Sequence, residues 1–468
     1  MRRALGALLF ALANSQCSCS SSAQTFAIPA GSSQFAGTLS SAEPSPRPEP
    51  APPGGPVAVY SNTTVVEALA GRGQVLWVAT RGGLEQYDLT TRNRVAKYTT
   101  LAGLPTVTLE DVVLDVNGLP VVTTANHRCS LHAPTQRFAC AGRTAATEAQ
   151  LSPSSERIEG TPVTARYRAP DGREWLGTAG LGVWSREAGQ LQRLTPTQQI
   201  VSNHVVATAE WKGSIYLASF DAGLGRLSQG QFSAVALQAR LLNDVLATPN
   251  QLFVAASDGL YVSEDGEHFR RETRVTERFI SDLAYDARRN ILYATATNSL
   301  WELALDARAK PPRSHYLPGG SRSLQAVDVS PNGTVFLATE DRGVLRRDGK
   351  RKFSVFDRLA GYPSSWATDV LALDGESALF GSLHHGVFAV GSAVQQPPIA
   401  SLGPWVLFLG RDSQDAGRVF IGTQGGATLS ERGTHRNLPG LPNPCVHSIA
   451  RLSSGLWVAT EGGLAQYP

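Results

Sequence analysis

Short apolar runs recur along this chain, each followed at once by a glycine-bearing turn and a second half-apolar run. The clearest is Val75-Leu76-Trp77-Val78-Ala79-Thr80, then Arg81-Gly82-Gly83-Leu84-Glu85-Gln86-Tyr87. Nearly the same phrase ends the chain as Leu456 to Thr460, then Glu461-Gly462-Gly463-Leu464-Ala465-Gln466-Tyr467. Variants stand at Trp175 to Thr178, Ile215 to Ser219, Leu252 to Ala256, Leu292 to Ala296, Val335 to Thr339, Leu379 to Ser382 and Val419 to Thr423. Apolar runs this short, bounded by glycine, read as strands, and no 3.6-residue period persists long enough for a helix. An inner strand before each phrase (Thr64 to Leu69 in the first copy) and an outer strand after it (Arg94 to Thr99) make four strands per unit. The spacing of roughly 42 residues is that of a four-stranded propeller blade.

The expected fold is therefore all-β, a single β-propeller of about ten four-stranded blades. Nine blades follow if the weak copy at Val121 to Thr124 is not one. Two smaller propellers remain open, although no linker divides the repeats. The last copy stops after its third strand, and Pro56 to Tyr60 is a spare strand ahead of the first copy. Docked beside Gly463 to Tyr467, that strand would complete the last blade and close the ring, removing exposed edges. Asp115-Val116-Asn117-Gly118, Pro170-Asp171-Gly172 and Pro331-Asn332-Gly333 supply the positive φ that tight hairpins need. An insertion is expected around Thr144 to Gly160.

The N-terminus reads as a targeting segment. Arg2 and Arg3 precede an apolar run, Ala4 to Ala13, that is too short to span a bilayer. Residues 1–23 are read as a signal peptide or lipoprotein leader, with Cys17 as the candidate lipidation site and Cys19 as its neighbour. Residues 24–55 form a Ser/Pro-rich linker, with Pro44, Pro46, Pro48, Pro50, Pro52 and Pro53 extending it. Residues 56–468 carry the propeller. The expected location is extracytoplasmic, with membrane contact only through a lipid anchor.

Net charge is +3, and two of those charges lie in the leader, so there is no electrostatic footprint for nucleic acid. An exported protein is a permissive place for disulfides. Cys129 and Cys140 flank a ten-residue hairpin-like segment and are expected to pair, whereas Cys445 has no evident partner in the sequence.

The phrase Leu-Trp-Val-Ala-Thr-x-Gly-Gly-Leu resembles the two-component regulator propeller repeat of bacterial sensors. A second element of that family recurs as Leu101-Ala102-Gly103-Leu104-Pro105, Leu359-Ala360-Gly361-Tyr362-Pro363 and Pro439-Gly440-Leu441-Pro442. The resemblance covers nearly everything after Pro56. It implies an extracytoplasmic input domain of a hybrid sensor kinase, often for carbohydrate fragments. The sequence holds no kinase, receiver or membrane helix, so signalling by this chain alone is not expected. Ser263-Glu264-Asp265-Gly266-Glu267-His268-Phe269 is similar to the Asp-box turn of sialidase-like propellers, which predicts a hairpin and no chemistry.

No His-Glu-x-x-His, Gly-x-Ser-x-Gly, phosphate loop or Cys-x-x-Cys is present, and no catalytic residue, cofactor or metal is expected. The adjacent pair His384-His385 is read as a solvated turn. Trp77, Trp175 and Trp457 hold fixed places in the repeat and read as packing between blades. Trp211 is off the pattern, beside a turn. Trp366 and Trp405 stand near the starts of inner strands, where loops meet a central channel. With Arg81, Asn203, His204, Asp221, Asp341, Arg342, His384 and His385 they make a candidate binding face, and Asn126, His127 and His447 lie on the same loops. That mix suits a glycan or a peptide loop. The reading is a monomeric binding or scaffold protein for a glycan, peptide or envelope protein. The alternative is a propeller-scaffold enzyme such as a polysaccharide lyase or glycosidase.

Overall fold

A computed structural model describes residues 54–143, 155–196, 198–306, 311–317, 323–347, 352–391 and 401–468. The leader, Cys17, Cys19, nearly all of the Pro-rich linker and most of the expected insertion lie outside them. Among the described residues the chain is all-β and propeller-like: ten antiparallel sheets, most of four strands, with two short 3-10 turns. No helix there is long and apolar enough to cross a membrane. The residues fall into two compact units, dividing between Thr197 and Gln198. Three sheets belong to the first unit and seven to the second.

The recurring Thr or Ser has a local cause. At the end of the second strand its hydroxyl donates to the carbonyl that opens the third strand, as in Thr80 Oγ1 to Gly83 O at 2.7 Å and Thr460 Oγ1 to Gly463 O at 2.9 Å. The same oxygen accepts a turn N–H, from Gly82 at 2.9 Å and Gly462 at 3.0 Å. Thr178, Ser219, Thr339, Ser382 and Thr423 repeat the lock. Ala256 and Ala296 have no hydroxyl and leave their turns without it. Glycine follows for a steric reason as well. Gly83 has φ +116, and a Cβ there would stand 2.5 Å from the Tyr98 carbonyl.

Second strands are apolar on both faces where their sheet stacks between two others. In the first sheet Trp77 and Ala79 pack against Val112, Val122, Cys129 and Phe138 of the second. Leu76 and Val78 face the other way, onto Ala169, Trp175 and Val183 of the third. Trp77, Trp175 and Trp457 are core residues, at most 5% exposed. Trp211 is also core: it ends the inner strand of the fourth sheet, and its Nε1 donates to Thr248 O at 2.9 Å. The off-pattern position thus had a packing reason that the repeat did not show. Cys129 and Cys140 face each other across His127–His132 and Arg137–Gly142 and form a disulfide.

Within 54–196 the sheets are not stacked in chain order. The inner strand of the first sheet, Val66–Arg72, lies between Thr161–Arg168 of the third and Asp111–Leu114 of the second. Within 198–468 the inner strands are Val205–Trp211, Leu242–Ala247, Ile280–Asp286, Leu324–Val329, Ala367–Ala372, Val406–Arg411 and Val446–Leu452. Each lies against the next, and the last lies against the first. The sequence led to an expectation of about ten four-stranded units, and the described residues form ten sheets, most of four strands.

Candidate functional site

Every inner strand of 198–468 begins with a fully buried aliphatic residue and then slips register by one. Such a bulge bends a strand and frees one side chain from the pleat. The freed residues are Val206, Asn243, Ser281, Gln325, Thr368, Leu407 and His447, and all of them line a cavity of about 610 Å³. Several also tie their sheet to the next. Asn243 Nδ2 donates to Ile280 O at 2.6 Å, Ser281 Oγ to Leu324 O at 3.0 Å, and Thr368 Oγ1 to Val406 O at 2.7 Å.

Four aspartates stand in the wall of this cavity: Asp244, Asp282, Asp328 and Asp369. Their side chains reach the lumen but are surrounded by protein. Each accepts backbone N–H groups on both sides of a sheet boundary. Asp328 takes Val329 N at 2.8 Å and Ala372 N at 2.9 Å, and Asp369 takes Val370 N at 2.7 Å and Leu409 N at 2.6 Å. Asp282 takes Val327 N at 2.7 Å from the next sheet. Asp244 accepts from Val245 N at 2.7 Å and from Leu283 of the next sheet. A buried carboxylate is costly unless hydrogen-bonded, and these bonds offset part of that cost. Burial still dominates. It pushes Asp328 up to about 6 and Asp369 up to about 7, the backbone donors pulling the other way. Burial, then the charges of Asp244 and Asp369, raise Asp282 well above the carboxylate range. Burial pushes Asp244 up to about 6, with the Val245 and Leu283 backbone donors and then the neighbouring Asp282 pulling the other way.

The end of the cavity where the inner strands begin is apolar and aromatic. Trp366 and Trp405 precede the inner strands of adjacent sheets and line it, as do Phe220 and Leu383 from turns. The boundary between the tenth and fourth sheets carries different chemistry. The His204 ring lies 5.0 Å from that of Phe220 and 5.1 Å from that of His447. His447 Nε2 is 3.6 Å from Glu461 Oε1 and 3.8 Å from Cys445 Sγ. Burial, then the neighbouring His447, pushes His204 down to about 3, so the ring is neutral.

The remaining predicted residues sit apart. His384 and His385 are exposed in the turn of the eighth sheet, with His385 N bonded to Ser382 Oγ at 2.8 Å. Asp341 is exposed and Arg342 half-buried in the turn of the seventh. Asp221 is exposed and accepts from Ser202, and Asn203 is half-buried beside His204. None of these six residues lines the cavity. Arg81 belongs to the first sheet and pairs with Glu67 at 2.6 Å. Sequence reasoning missed the aspartates. The available signal was an acid inside an otherwise apolar inner strand, as in Asn243-Asp244-Val245, Ser281-Asp282-Leu283 and Thr368-Asp369-Val370.

No family model matches the sequence, and no curated protein matches it. Similar solved structures exist at low identity. The extracellular domain of BT4673 from B. thetaiotaomicron, described as a hybrid two component system, is 12% identical with a TM-score of 0.46, over 86% of this chain and 69% of that one. The extracellular domain of BT3049 from the same organism, described in the same way, is 12% identical with a TM-score of 0.49, over 84% and 60%. PorZ, described as a bacterial surface component of the type-IX secretion system of Porphyromonas gingivalis, is 15% identical with a TM-score of 0.48, over 88% and 69%.

Proposed function

We propose that this chain is an exported, monomeric β-propeller protein that binds a glycan or a peptide loop of an envelope partner at the mouth of the 198–468 cavity. The observation that carries this is the cavity itself. Its volume of about 610 Å³ suits a small ligand, and Trp366 and Trp405 offer two ring faces above an acidic wall. In this reading the seven sheets of 198–468 are a closed propeller of the two-component regulator type. Residues 24–55 are a tether, and residues 1–23 are a signal peptide or lipoprotein leader with Cys17 as its candidate lipidation site.

A second reading, a lyase or glycosidase, draws on the Asp244–Asp282 pair, because paired carboxyls can serve as acid and base. Against it, the aspartates are engaged by backbone N–H groups across sheet boundaries and are poorly free to move a proton to substrate.

The test is thermal unfolding of the protein across a panel of glycans, cell-wall fragments and short peptides. A ligand at about a hundred times its Kd adds about 2.7 kcal/mol to the folded state. One ligand class is expected to raise the Tm. Trp366→Ala and Trp405→Ala are expected to abolish that rise while leaving the ligand-free Tm unchanged. A flat response to the whole panel, or a rise that survives both substitutions, overturns the reading.

A further inference from the structure

A cluster at the boundary of the tenth and fourth sheets borders the cavity just described, His447 being part of its lining. One ring nitrogen each of His204 and His447 and a carboxylate oxygen of Glu461 lie within 4.8 Å of one another. Cys445, a buried thiol outside any disulfide, places its Sγ 3.8 Å from His447 Nε2. Glu461 Oε1 approaches the same nitrogen at 3.6 Å.

The 3.6 Å approach of Glu461 is long for a direct hydrogen bond, which runs at about 2.7–3.2 Å. It suits one edge of a coordination tetrahedron. Ligands at about 2.0–2.3 Å from a common zinc stand roughly 3.3–3.8 Å from one another. A second observation is independent of that spacing. His204 Nε2 is a buried nitrogen with no hydrogen-bond partner. Buried polar atoms in folded proteins are nearly always satisfied, so an orphan nitrogen facing another imidazole asks for a ligand that is not a protein donor.

We infer that His204, His447 and Glu461 form a zinc-class metal site, with Cys445 beside it, that clasps the tenth sheet to the fourth. Two imidazoles and a carboxylate are ligand types of zinc, and the imidazoles do not match the all-oxygen preference of calcium and magnesium. The positions are built by the repeat. Cys445 and His447 flank the start of the inner strand Val446–Leu452, Glu461 sits in the turn after Gly455–Thr460, and His204 directly precedes Val205–Trp211. Neutral imidazoles and a carboxylate take up the metal without losing a proton, and no redox step is involved. The metal would do between the last and first sheets what hydrogen bonds accepted by Asp282, Asp328 and Asp369 do between consecutive ones.

The test uses the full chain purified without an affinity tag, loaded with zinc(II) and desalted. Elemental analysis is expected to find one zinc per chain. Zinc, but not magnesium, is expected to raise the Tm of the chelator-treated protein. Cobalt(II) in its place is expected to give visible bands that the His204→Ala/His447→Ala double variant loses. Glu461→Gln, which keeps the turn and its volume, is expected to weaken zinc binding by about 10–100-fold, and His447→Ala to abolish it. Less than a tenth of an equivalent of zinc on wild-type protein with native circular dichroism overturns the inference. So does full zinc loading of a folded His204→Ala/His447→Ala double variant, which would place the metal elsewhere.

Discussion

Two stretches of one cavity wall solve the same problem by different chemistry. From the fifth to the ninth sheet, a buried carboxylate on one inner strand takes a backbone N–H from the next, as Asp369 does from Leu409. At the boundary of the tenth and fourth sheets a stacked pair of histidines with Glu461 and Cys445 stands instead. The acidic stretch joins sheets that are neighbours in the chain. The histidine stretch joins the first and last sheets of 198–468, where no connecting loop holds them. The two stretches also draw on different places in the repeat: the aspartates stand within their inner strands, whereas Cys445 and His204 precede theirs and Glu461 follows a second strand.

The two stretches also titrate in opposite senses, which is the sharpest way to separate them. Asp328 and Asp369 have folded pKa values above the unfolded carboxylate value, so the folded state binds more protons between about pH 4 and 7. Stability is fully present below that window and falls as pH rises through it, on the order of 1.4 kcal/mol per pH unit for each such group. His204 has a folded value of about 3, below its ordinary one. Its contribution is present above the unfolded value and is lost as pH falls, so stability there rises with pH between about 3 and 6.5. Urea unfolding in the presence of a chelator, at pH 4.5 and pH 7.5, reads the sum. Asp369→Asn is expected to make stability fall less with rising pH, and His204→Asn to make it fall more. Equal slopes in the two variants would erase the distinction.

A smaller effect comes from cutting one hydrogen bond. Asp328→Ala leaves the Ala372 N–H buried without its acceptor, at a cost of about 1–3 kcal/mol measured by denaturant unfolding. The smallest comes from the outer end of the histidine stretch. There Glu210 accepts from Ser453 N at 2.6 Å at the exposed hairpin tips. Glu210→Ala is expected to cost less than about 1 kcal/mol, since exposed polar contacts contribute little. A loss as large as that of Asp328→Ala would mean the two boundaries are held with similar strength near the surface and in the wall.

Strand type was legible because Val75 to Thr80 and its copies are apolar at every position, bounded by glycine, and too short for helices. The core role of Trp77, Trp175 and Trp457 followed from their fixed place in the repeat. The spatial order of the sheets was not legible. Copies of one phrase carry no label saying which lies beside which, so the sheets of 198–468, stacked in chain order, and the three of 54–196, stacked in another, read alike along the chain. The site was legible in part. Trp366 and Trp405 stood out because they broke the pattern, and they line the cavity. The turn residues His384, His385, Asp341 and Arg342 were chosen by polarity, yet polar side chains in turns point to water more often than to a lumen. The aspartates were passed over for the converse reason: an acid within an apolar strand looks like an exception until the next sheet's N–H is seen opposite it.

The stacking of the first three sheets has a consequence for how the protein is made. Leu76, Val78 and Tyr87 leave the ribosome early, but the surface that covers them, Trp175 and Val183, is translated about a hundred residues later. Thr164 Oγ1 then reaches back to Val66 O at 2.5 Å to seat that surface. Until then one face of the first sheet is a bare apolar wall on a nascent chain. During synthesis that wall is where a chaperone would be needed most, and where a truncated product would stick to its neighbours first.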